Sequence, residues 1–128
     1  MTLSYAAAHD LLEAFVRART AHDGEALTAL FTPDATVALD PFATPLTGHN
    51  ALRAYLLAAA DAERWYDLAI ERHWVSGDTV LAAWHAGWTR RSDEGKVRQA
   101  GFLSAEVGGD GRIVRLRLWT VTRDNVAG

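Results

Sequence analysis

The sequence predicts an α+β domain in which three N-terminal helices pack on one face of a curved antiparallel sheet. The first half of the chain has apolar residues at helical spacing, whereas the second half has four β-rich runs separated by short turn signals. Because no connection in the second half exceeds hairpin length, a four-stranded meander is the simplest arrangement. Helices followed by a meander are typical of an α+β fold with the helices on one sheet face.

Helical periodicity marks three segments of the first half. Ser4 can cap the first helix, which ends at the His-Asp-Gly turn of residues 22–24. The second helix is expected to stop at residues 33–34, and residues 47–48 start the third. The apolar stripes of the three helices are Ala8, Leu11, Leu12, Phe15 and Val16; Leu27, Leu30 and Phe31; and Leu52, Tyr55, Leu56 and Ala59.

Five segments are predicted as strands. A short β-branched strand at residues 36–39 is closed by Asp40 and Pro41 and followed by a proline-punctuated loop. The meander strands cover residues 66–75, 79–89, 97–107 and 112–122, with turn signals at residues 76–78, 92–95 and 108–111.

Length and composition are those of one ordinary globular domain spanning residues 1–128. The formal net charge is −3 and no basic stripe is present, so nucleic-acid binding is not expected. The absence of cysteine excludes disulfides and thiolate metal sites. The sequence has neither a recognisable signal peptide nor an apolar run long enough to span a bilayer, and a cytoplasmic protein is expected.

Alternation along the strands predicts which residues share a sheet face. A hairpin that turns at Gly77 and Asp78 pairs Ile70 with His85. We expect the aliphatic face to be the concave one beneath the helices. It contains Tyr66, Leu68, Ile70, Leu81, Ala83, His85 and Gly87 from the first hairpin, and Leu103, Ala105, Val107, Val114, Leu116 and Leu118 from the last.

The opposite face combines charges with large aromatic side chains, which is unusual for a surface that meets only water. Its members are Asp67, Glu71, His73, Trp84, Ala86 and Trp88, together with Phe102, Glu106, Arg115, Arg117 and Trp119. Trp84, Trp88, Phe102 and Trp119 would form an apolar patch, which favours a homodimer through this face. The alternative is scattered surface aromatics, and a bulge near residues 90–95 would exchange the faces of one strand.

Several stretches carry a resemblance to a known family: residues 29–37, 40–41, 48–56, 77–80 and 110–114. Together they are similar to the SnoaL-like branch of the nuclear-transport-factor-like superfamily. That superfamily includes ketosteroid isomerases, polyketide cyclases, limonene epoxide hydrolases, dehydratases and binding domains. The resemblance implies a cone-shaped α+β barrel with a deep pocket between the bent sheet and the helices. It also implies frequent dimerisation through the outer sheet face.

The resemblance carries over functional residues only in part. The general-base aspartate of the isomerases corresponds nearly to Asp40, which this chain places one residue later. The two oxyanion-hole donors of the isomerases correspond to Phe15 and Leu103, neither of which can donate. The arginine-bridged aspartate pair of the epoxide hydrolases is not evident. The resemblance therefore does not carry the steroid-isomerase mechanism to this chain.

Asp40 and His85 are the candidate catalytic residues. A carboxylate beside apolar walls is poorly solvated, so Asp40 could remove a proton from carbon or activate a water. The alternative is a turn in which Asp40 caps backbone N–H groups. His85, predicted in mid-strand on the aliphatic face, could donate to a developing oxyanion or act as an acid or base. Its alternative is a core histidine satisfied by one backbone or tyrosine partner.

Other residues are candidates for binding a substrate. Tyr55 and Tyr66 could orient it through their hydroxyl groups, or serve only as wall residues. Arg72, predicted on the inner face near the end of the sheet, could bind a carboxylate or enolate, although such an arginine more often extends to solvent. The predicted apolar wall consists of Phe15, Leu103, Leu116 and Leu118. No histidine spacing indicates a metal, and no nucleotide-binding or nucleophile motif is present, so neither a metal nor a cofactor is expected.

Two functional hypotheses remain open on the sequence. The first is a cofactor-independent isomerase, cyclase or dehydratase that acts on a small, largely apolar molecule, with Asp40 as base and His85 as proton donor or oxyanion stabiliser. The second is a non-catalytic small-ligand-binding domain or dimeric scaffold, which the missing oxyanion donors favour. Fold alone does not decide between them.

Overall fold

The structure, a computed structural model, describes residues 2–125. These residues form three helices and six strands, and two of the strands precede the third helix instead of following it. They are α1 (Tyr5–Thr20), α2 (Gly24–Thr28), β1 (Phe31–Ala38), β2 (Leu46–Thr47), α3 (Gly48–Ala62), β3 (Glu63–Ser76), β4 (Thr79–Arg90), β5 (Lys96–Val107) and β6 (Ile113–Asn125).

The N-termini of the first two helices are capped by side chains. Ser4 Oγ accepts a hydrogen bond from the backbone N–H of Ala7 at 3.0 Å, which confirms the predicted cap. Asp23 accepts one from the backbone N–H of Ala26 at 3.0 Å and so starts α2. No helix among residues 2–125 is long and apolar enough to cross a membrane.

The second helix is shorter than predicted, and the strand after it is longer. Phe31 begins β1 instead of continuing the helical stripe, and residues 33–34 lie inside the strand. The register between β1 and β6 shifts between Phe31 and Thr36. Proline is tolerated in a strand at such an irregularity because no regular ladder hydrogen bond is required of it.

The sheet has six strands in the order β2-β1-β6-β5-β4-β3. Strands β3 to β6 form the predicted antiparallel meander. Strand β1 adds to it parallel to β6, and β2 pairs antiparallel with β1. The sheet is therefore mixed, where the sequence predicted only antiparallel pairing, and it is curved and open, with the helices on its concave face.

The core lies between the helices and this concave face. Phe31, Leu56 and Val80 are its largest fully buried side chains, and they come from β1, α3 and β4. Leu116 of β6 is also buried, at 3% exposure. Burial of such apolar surface is the main force that holds the helices against the sheet.

A bulge in β3 reverses the predicted faces of β4. Next to the turn, Ser76 pairs with Thr79 as expected, but the register shifts between Ile70 and Arg72. Ile70 consequently pairs with Trp84 and not with His85. The inner face of β4 carries Val80, Ala82, Trp84, Ala86 and Trp88, so the predicted inner positions of Leu81, Ala83, His85 and Gly87 are wrong. The predicted outer position of His73 is also wrong, because the bulge turns its side chain to the inner face, where it is 8% exposed.

The β5–β6 hairpin follows the predicted alternation with one exception. Leu103 pairs with Leu118 on the inner face, and Phe102 pairs with Trp119 on the outer face. The register shifts between Glu106 and Val107, so Val107 pairs with Ile113. Val114 is left 38% exposed, and its predicted inward position is wrong.

Three neighbouring aromatic side chains on the outer face form what we call the outer aromatic patch: Trp74, Phe102 and Trp119. Trp74 stacks on Phe102 with ring centroids 6.2 Å apart, and all three side chains are exposed. Trp84 and Trp88, which the sequence placed in this patch, lie on the opposite face because of the bulge.

Candidate active site: a cavity with a buried ion pair

A cavity of about 340 Å³ lies between α1, α3 and the concave face of the sheet. Its size is that of sites for small organic molecules. The walls combine aliphatic and aromatic side chains with polar groups from helix, loop and strands. The lining residues are Phe15, Arg19, Leu39, Asp40, Tyr55, Glu63, Tyr66, Leu68, Ile70, Trp84, Trp88, Gln99, Leu103, Leu118, Thr120 and Thr122.

A buried ion pair joins α1 to the start of β3 at this cavity. Arg19 Nη1 and Nη2 donate to Glu63 Oε1 and Oε2 at 3.0 and 2.9 Å, and each side chain is only 8% exposed. His22 Nε2 lies 3.0 Å from Glu63 Oε1. Burial lowers the pKa of Arg19, but the hydrogen bonds to Glu63 and the electrostatic attraction of Tyr66, Tyr55 and Glu63 together outweigh it and raise that pKa above its ordinary value. The guanidinium therefore stays charged and paired.

Tyr66 packs directly on this ion pair. The guanidinium carbon of Arg19 lies 3.9 Å from the Tyr66 ring centroid and 5.8 Å from that of Tyr55. Burial raises the pKa of Tyr66 to about 12, although the positive charge of Arg19 acts in the opposite direction. At neutral pH, Tyr66 is therefore a neutral phenol that can donate a hydrogen bond.

A second bulge in β3 brings Glu63 and Tyr66 to the same face. Residues three apart in a regular strand point to opposite faces. Here the register shifts between Arg64 and Asp67, and Trp65 has φ of +56°. The additional residue turns Trp65 outward, where it is 72% exposed. Glu63 and Tyr66 both face the cavity as a result.

Two tryptophans and a glycine shape the side of the cavity that the sheet forms. Trp88 lies against Tyr66 with ring centroids 5.5 Å apart, and Trp84 is 5% exposed. Gly101 pairs with Trp84, and a Cβ on Gly101 would collide with the carbonyl oxygen of Trp119. Only glycine fits this close backbone approach. On β5 and β6, Gln99 Nε2 donates to Thr122 Oγ1 at 3.2 Å.

A family model described as a SnoaL-like domain matches residues 12–116. The chain belongs to this family. The match covers most of the chain and agrees with the resemblance that the sequence motifs carry. Among curated proteins, no sequence matches this SnoaL-like protein.

Solved structures show the same fold at low sequence identity. An epoxide hydrolase/cyclase-like enzyme, SalBIII, which has a role in pyran ring formation in the polyether salinomycin, superposes with a TM-score of 0.81 at 17% identity, covering 94% of this chain and 95% of its own. A Mycobacterium tuberculosis protein in complex with estradiol-17β-hemisuccinate gives 0.76 at 17%, covering 90% and 98%. An LEH-like epoxide hydrolase from M. tuberculosis gives 0.76 at 20%, covering 91% and 84%. At these identities the likeness establishes the fold alone.

The structure brings most of the predicted site residues of this SnoaL-like protein to the cavity. Phe15, Tyr55, Tyr66, Leu103 and Leu118 all line it. Leu116 belongs instead to the buried core beside the cavity, because it lies nearer the β5–β6 turn.

Asp40 lines the cavity but also fits its turn alternative. Its side chain is exposed, and Oδ1 accepts a hydrogen bond from the backbone N–H of Phe42 at 2.8 Å. The carboxylate thus sits at the rim of the cavity, where the turn orients it.

Two predicted site residues lie outside the cavity. His85 is on the outer face, where its Nδ1 is 3.4 Å from Glu71 and its side chain is half exposed. Arg72 is exposed on that face too, with its guanidinium 5.2 Å from the Trp74 ring centroid. The bulge between Ile70 and Arg72 explains both errors, since it changes the face of every residue on one side of it.

Sequence reasoning did not identify Arg19, Glu63, Trp84 and Trp88 as cavity residues. Arg19 had a detectable signal: it follows Phe15 by four positions, so it continues the buried stripe of α1 with a charged residue. A charge on such a stripe indicates a buried partner. Glu63, Trp84 and Trp88 depend on the two bulges in β3, for which the sequence offers no glycine or proline as a marker.

Proposed function

We propose that this SnoaL-like protein is a cofactor-independent enzyme that performs acid–base chemistry, of isomerase, cyclase or dehydratase type, on a small and largely apolar molecule. The observation that carries the proposal is the cavity of about 340 Å³, whose aliphatic and aromatic walls contain two phenols and two carboxylates, of which Glu63 is paired with Arg19 and Asp40 is not. Apolar walls bind the body of such a substrate, and the polar groups handle its protons.

Asp40 is the proposed base and Tyr66 the proposed hydrogen-bond donor. The carboxylate removes a proton from a carbon next to a carbonyl group, and the C–H electron pair moves to the carbonyl oxygen. The phenol of Tyr66, which is protonated at neutral pH, donates to the oxygen as negative charge develops there. Return of the proton to another carbon completes an isomerisation. Tyr66 thus has the role of hydrogen-bond donor that the sequence predicted for His85.

The ion pair of Arg19 and Glu63 supports the site without acting on the substrate. Each group neutralises the other through two hydrogen bonds, so neither charge is free for a ligand. The guanidinium fixes the Tyr66 ring from one side. This arrangement favours orientation of the phenol over direct electrostatic catalysis.

A second candidate function is binding without turnover. The observation that favours it is the exposure of Asp40, since a solvated carboxylate has less driving force to take a proton from carbon. In that case the cavity would hold an apolar ligand, and Asp40 would serve only its turn.

Elimination of 5-nitrobenzisoxazole tests both candidates, because a base that removes its C–H proton releases a coloured phenolate. We expect acceleration by the wild type, a loss of about 100-fold in Asp40→Asn, and a loss of about tenfold in Tyr66→Phe. The control is Asp67→Asn, which removes an exposed carboxylate outside the cavity. Binding of the probe with no acceleration contradicts the enzyme and supports the binding protein. A full rate in Asp40→Asn contradicts the assignment of Asp40 as the base.

A homodimer through the outer aromatic patch is also part of the proposal. An exposed apolar patch of this kind favours a protein partner. Glu106 and Arg115 on the same face allow two copies to meet with opposite charges opposed. Light scattering after size exclusion should give about twice the 14.0 kDa chain mass, and Trp119→Asp should halve it. Leu57→Asp, at an exposed leucine of α3, is the control, and a monomeric wild type contradicts the dimer. A cytoplasmic location stays a prediction.

A further inference from the structure

The tryptophans of this chain differ in their cationic neighbours. Each of the three exposed tryptophans has a protein cation 5.2–5.7 Å from the centroid of its ring: Arg64 and Lys96 at Trp65, Arg72 at Trp74, and Arg117 at Trp119. The two tryptophans that line the cavity, Trp84 and Trp88, have no arginine or lysine over their rings among residues 2–125. Trp84 is nearly buried, whereas Trp88 is half-buried, so Trp88 is the ring that a ligand can reach.

The aromatic wall beside Trp88 already stabilises one cation. The guanidinium carbon of Arg19 lies 3.9 Å from the centroid of Tyr66 and 5.8 Å from that of Tyr55. Trp88 adjoins Tyr66, with ring centroids 5.5 Å apart and ring planes inclined by 31°. The face of an aromatic ring carries negative charge density and attracts cations, most strongly at tryptophan. Trp88 therefore extends this wall into the cavity with a ring that Arg19 does not use.

The charges that line the cavity do not balance. Arg19 and Glu63 neutralise each other through hydrogen bonds of 3.0 and 2.9 Å. Within residues 2–125, no arginine, lysine or histidine forms an ion pair with Asp40, the third charged residue of the lining. Its Oδ1 accepts the backbone N–H of Phe42, and this hydrogen bond leaves the negative charge in place. The cavity therefore has a net negative charge, which favours a cationic ligand over an anionic one.

We propose that the cavity takes a substrate that carries a quaternary ammonium group, which contacts the ring of Trp88 and is attracted by Asp40. The methyl groups of such a cation suit apolar walls, and it has no N–H that would be left unpaired away from water. For the same reason it uses no lone pair of Asp40, which keeps Oδ2 for proton transfer. This inference rests on the proposed function only in requiring that the cavity binds a small, largely apolar molecule. It names the substrate class and makes Trp88 a specificity-determining residue.

Two benzyl alcohols of equal shape provide the test: (4-hydroxymethylphenyl)trimethylammonium, and 4-tert-butylbenzyl alcohol, in which carbon replaces the charged nitrogen. Calorimetric titration of the wild type should give about tenfold tighter binding of the cation. Added sodium chloride should weaken the cation alone, because salt screens its attraction to the exposed carboxylate of Asp40. This comparison needs no variant, so it stays valid if a substitution in the cavity prevents folding.

Substitutions of Asp40 and Trp88 locate the source of the preference. Asp40→Asn and Trp88→Leu should each reduce the ratio of the two affinities to about threefold, because each removes one of the two attractions. Trp88→Phe keeps an aromatic face and should retain more of the ratio than Trp88→Leu. The matched control is Asp67→Asn, which removes an exposed carboxylate outside the cavity and should leave the ratio at its wild-type value.

Equal wild-type affinities for the two probes, or tighter binding of the neutral alcohol, overturn this inference while leaving a ligand-binding cavity. A cation preference that survives in both Asp40→Asn and Trp88→Leu means that the cation binds outside the cavity, and it also overturns the inference. Absence of binding by both probes overturns the inference together with the proposed function. A cation preference that depends on Asp40 and Trp88, without elimination of 5-nitrobenzisoxazole, supports the inference and removes only the catalytic proposal.

Discussion

Strand β4 and the β5–β6 hairpin place their large aromatic residues on opposite faces of the sheet. On β4 of the β3–β4 hairpin, Trp84 and Trp88 face the cavity, whereas in the β5–β6 hairpin Phe102 and Trp119 face outward. The first hairpin is interrupted by two bulges along β3, and the second has a single register shift next to its turn. The position of a bulge therefore decides whether a tryptophan is available to a small ligand or to another protein.

The interrupted hairpin also carries Glu63, one of the three charged residues that line the cavity. The bulge at Trp65 turns both Glu63 and Tyr66 inward, and the bulge near Glu71 turns Trp84 inward. The regular hairpin contributes Leu103 and Leu118 together with the uncharged polar residues Gln99, Thr120 and Thr122. The bulged strand thus brings a charged group and a phenol to the cavity, whereas the regular hairpin brings neither.

Removal of a charge should have its largest effect in the interrupted hairpin. Glu63→Gln leaves Arg19 buried without a counter-charge, and we expect the free energy of unfolding to fall by about 3–5 kcal/mol. The matched change in the regular hairpin is Glu106→Gln, whose partner Arg115 is 3.6 Å away on the exposed face. That change should cost at most about 1 kcal/mol. Urea denaturation followed by circular dichroism measures both.

A double variant distinguishes the effect of losing the ion pair from the effect of losing side-chain packing. Arg19→Met combined with Glu63→Leu removes both charges and keeps hydrocarbon in their place, so it should recover much of the stability that Glu63→Gln loses. Similar losses in Glu63→Gln and Glu106→Gln would contradict a buried ion pair.

Titration of Tyr66 should give the next largest effect. With a folded-state pKa of about 12, above the ordinary tyrosine value of about 10, the folded chain keeps the phenol proton after the unfolded chain has lost it. The associated stability is fully present below about pH 10 and is lost as pH rises through about 12, a fall of about 3 kcal/mol.

Absorbance at 295 nm and urea denaturation between pH 9 and 12 measure this effect. Tyr66→Phe should remove one late-titrating phenol and flatten the fall in stability, whereas Tyr5→Phe, at a tyrosine that is 61% exposed, should preserve both. An unchanged late titration in Tyr66→Phe would show that Tyr66 is not buried against Arg19.

The regular parts of the fold were predictable from the sequence, for a physical reason. Ser4 capped α1 as expected, and the pairing of Leu103 with Leu118 followed from simple alternation. Alternation holds as long as no residue is inserted, so one correct turn fixes a whole hairpin. The β3–β4 hairpin started from the correct turn at Gly77 but lost its register beyond Arg72.

The candidate site was predictable only where it lies on regular elements. Phe15, Tyr55 and Leu103 reached the cavity because helix stripes and an uninterrupted strand place them there. The predicted inner position of His85 was wrong because the face of His85 depends on a bulge that forms without glycine or proline. Tertiary packing imposes such a bulge, and local propensity gives no sign of it.

The smallest expected effect is at Trp65, where a substitution tests whether β3 is bulged at this position. Its φ of +56° is a left-handed conformation that costs a residue with a Cβ about 1–2 kcal/mol, and its side chain is 72% exposed. Trp65→Gly should therefore be more stable than Trp65→Ala by about 1 kcal/mol, after the greater flexibility of glycine in the unfolded chain is allowed for. In the regular hairpin the order should reverse at Phe102, where alanine should be more stable than glycine. Urea denaturation of the four variants measures both differences. If alanine is the better residue at position 65 as well, β3 is not bulged there, and Glu63 and Tyr66 do not share the cavity face.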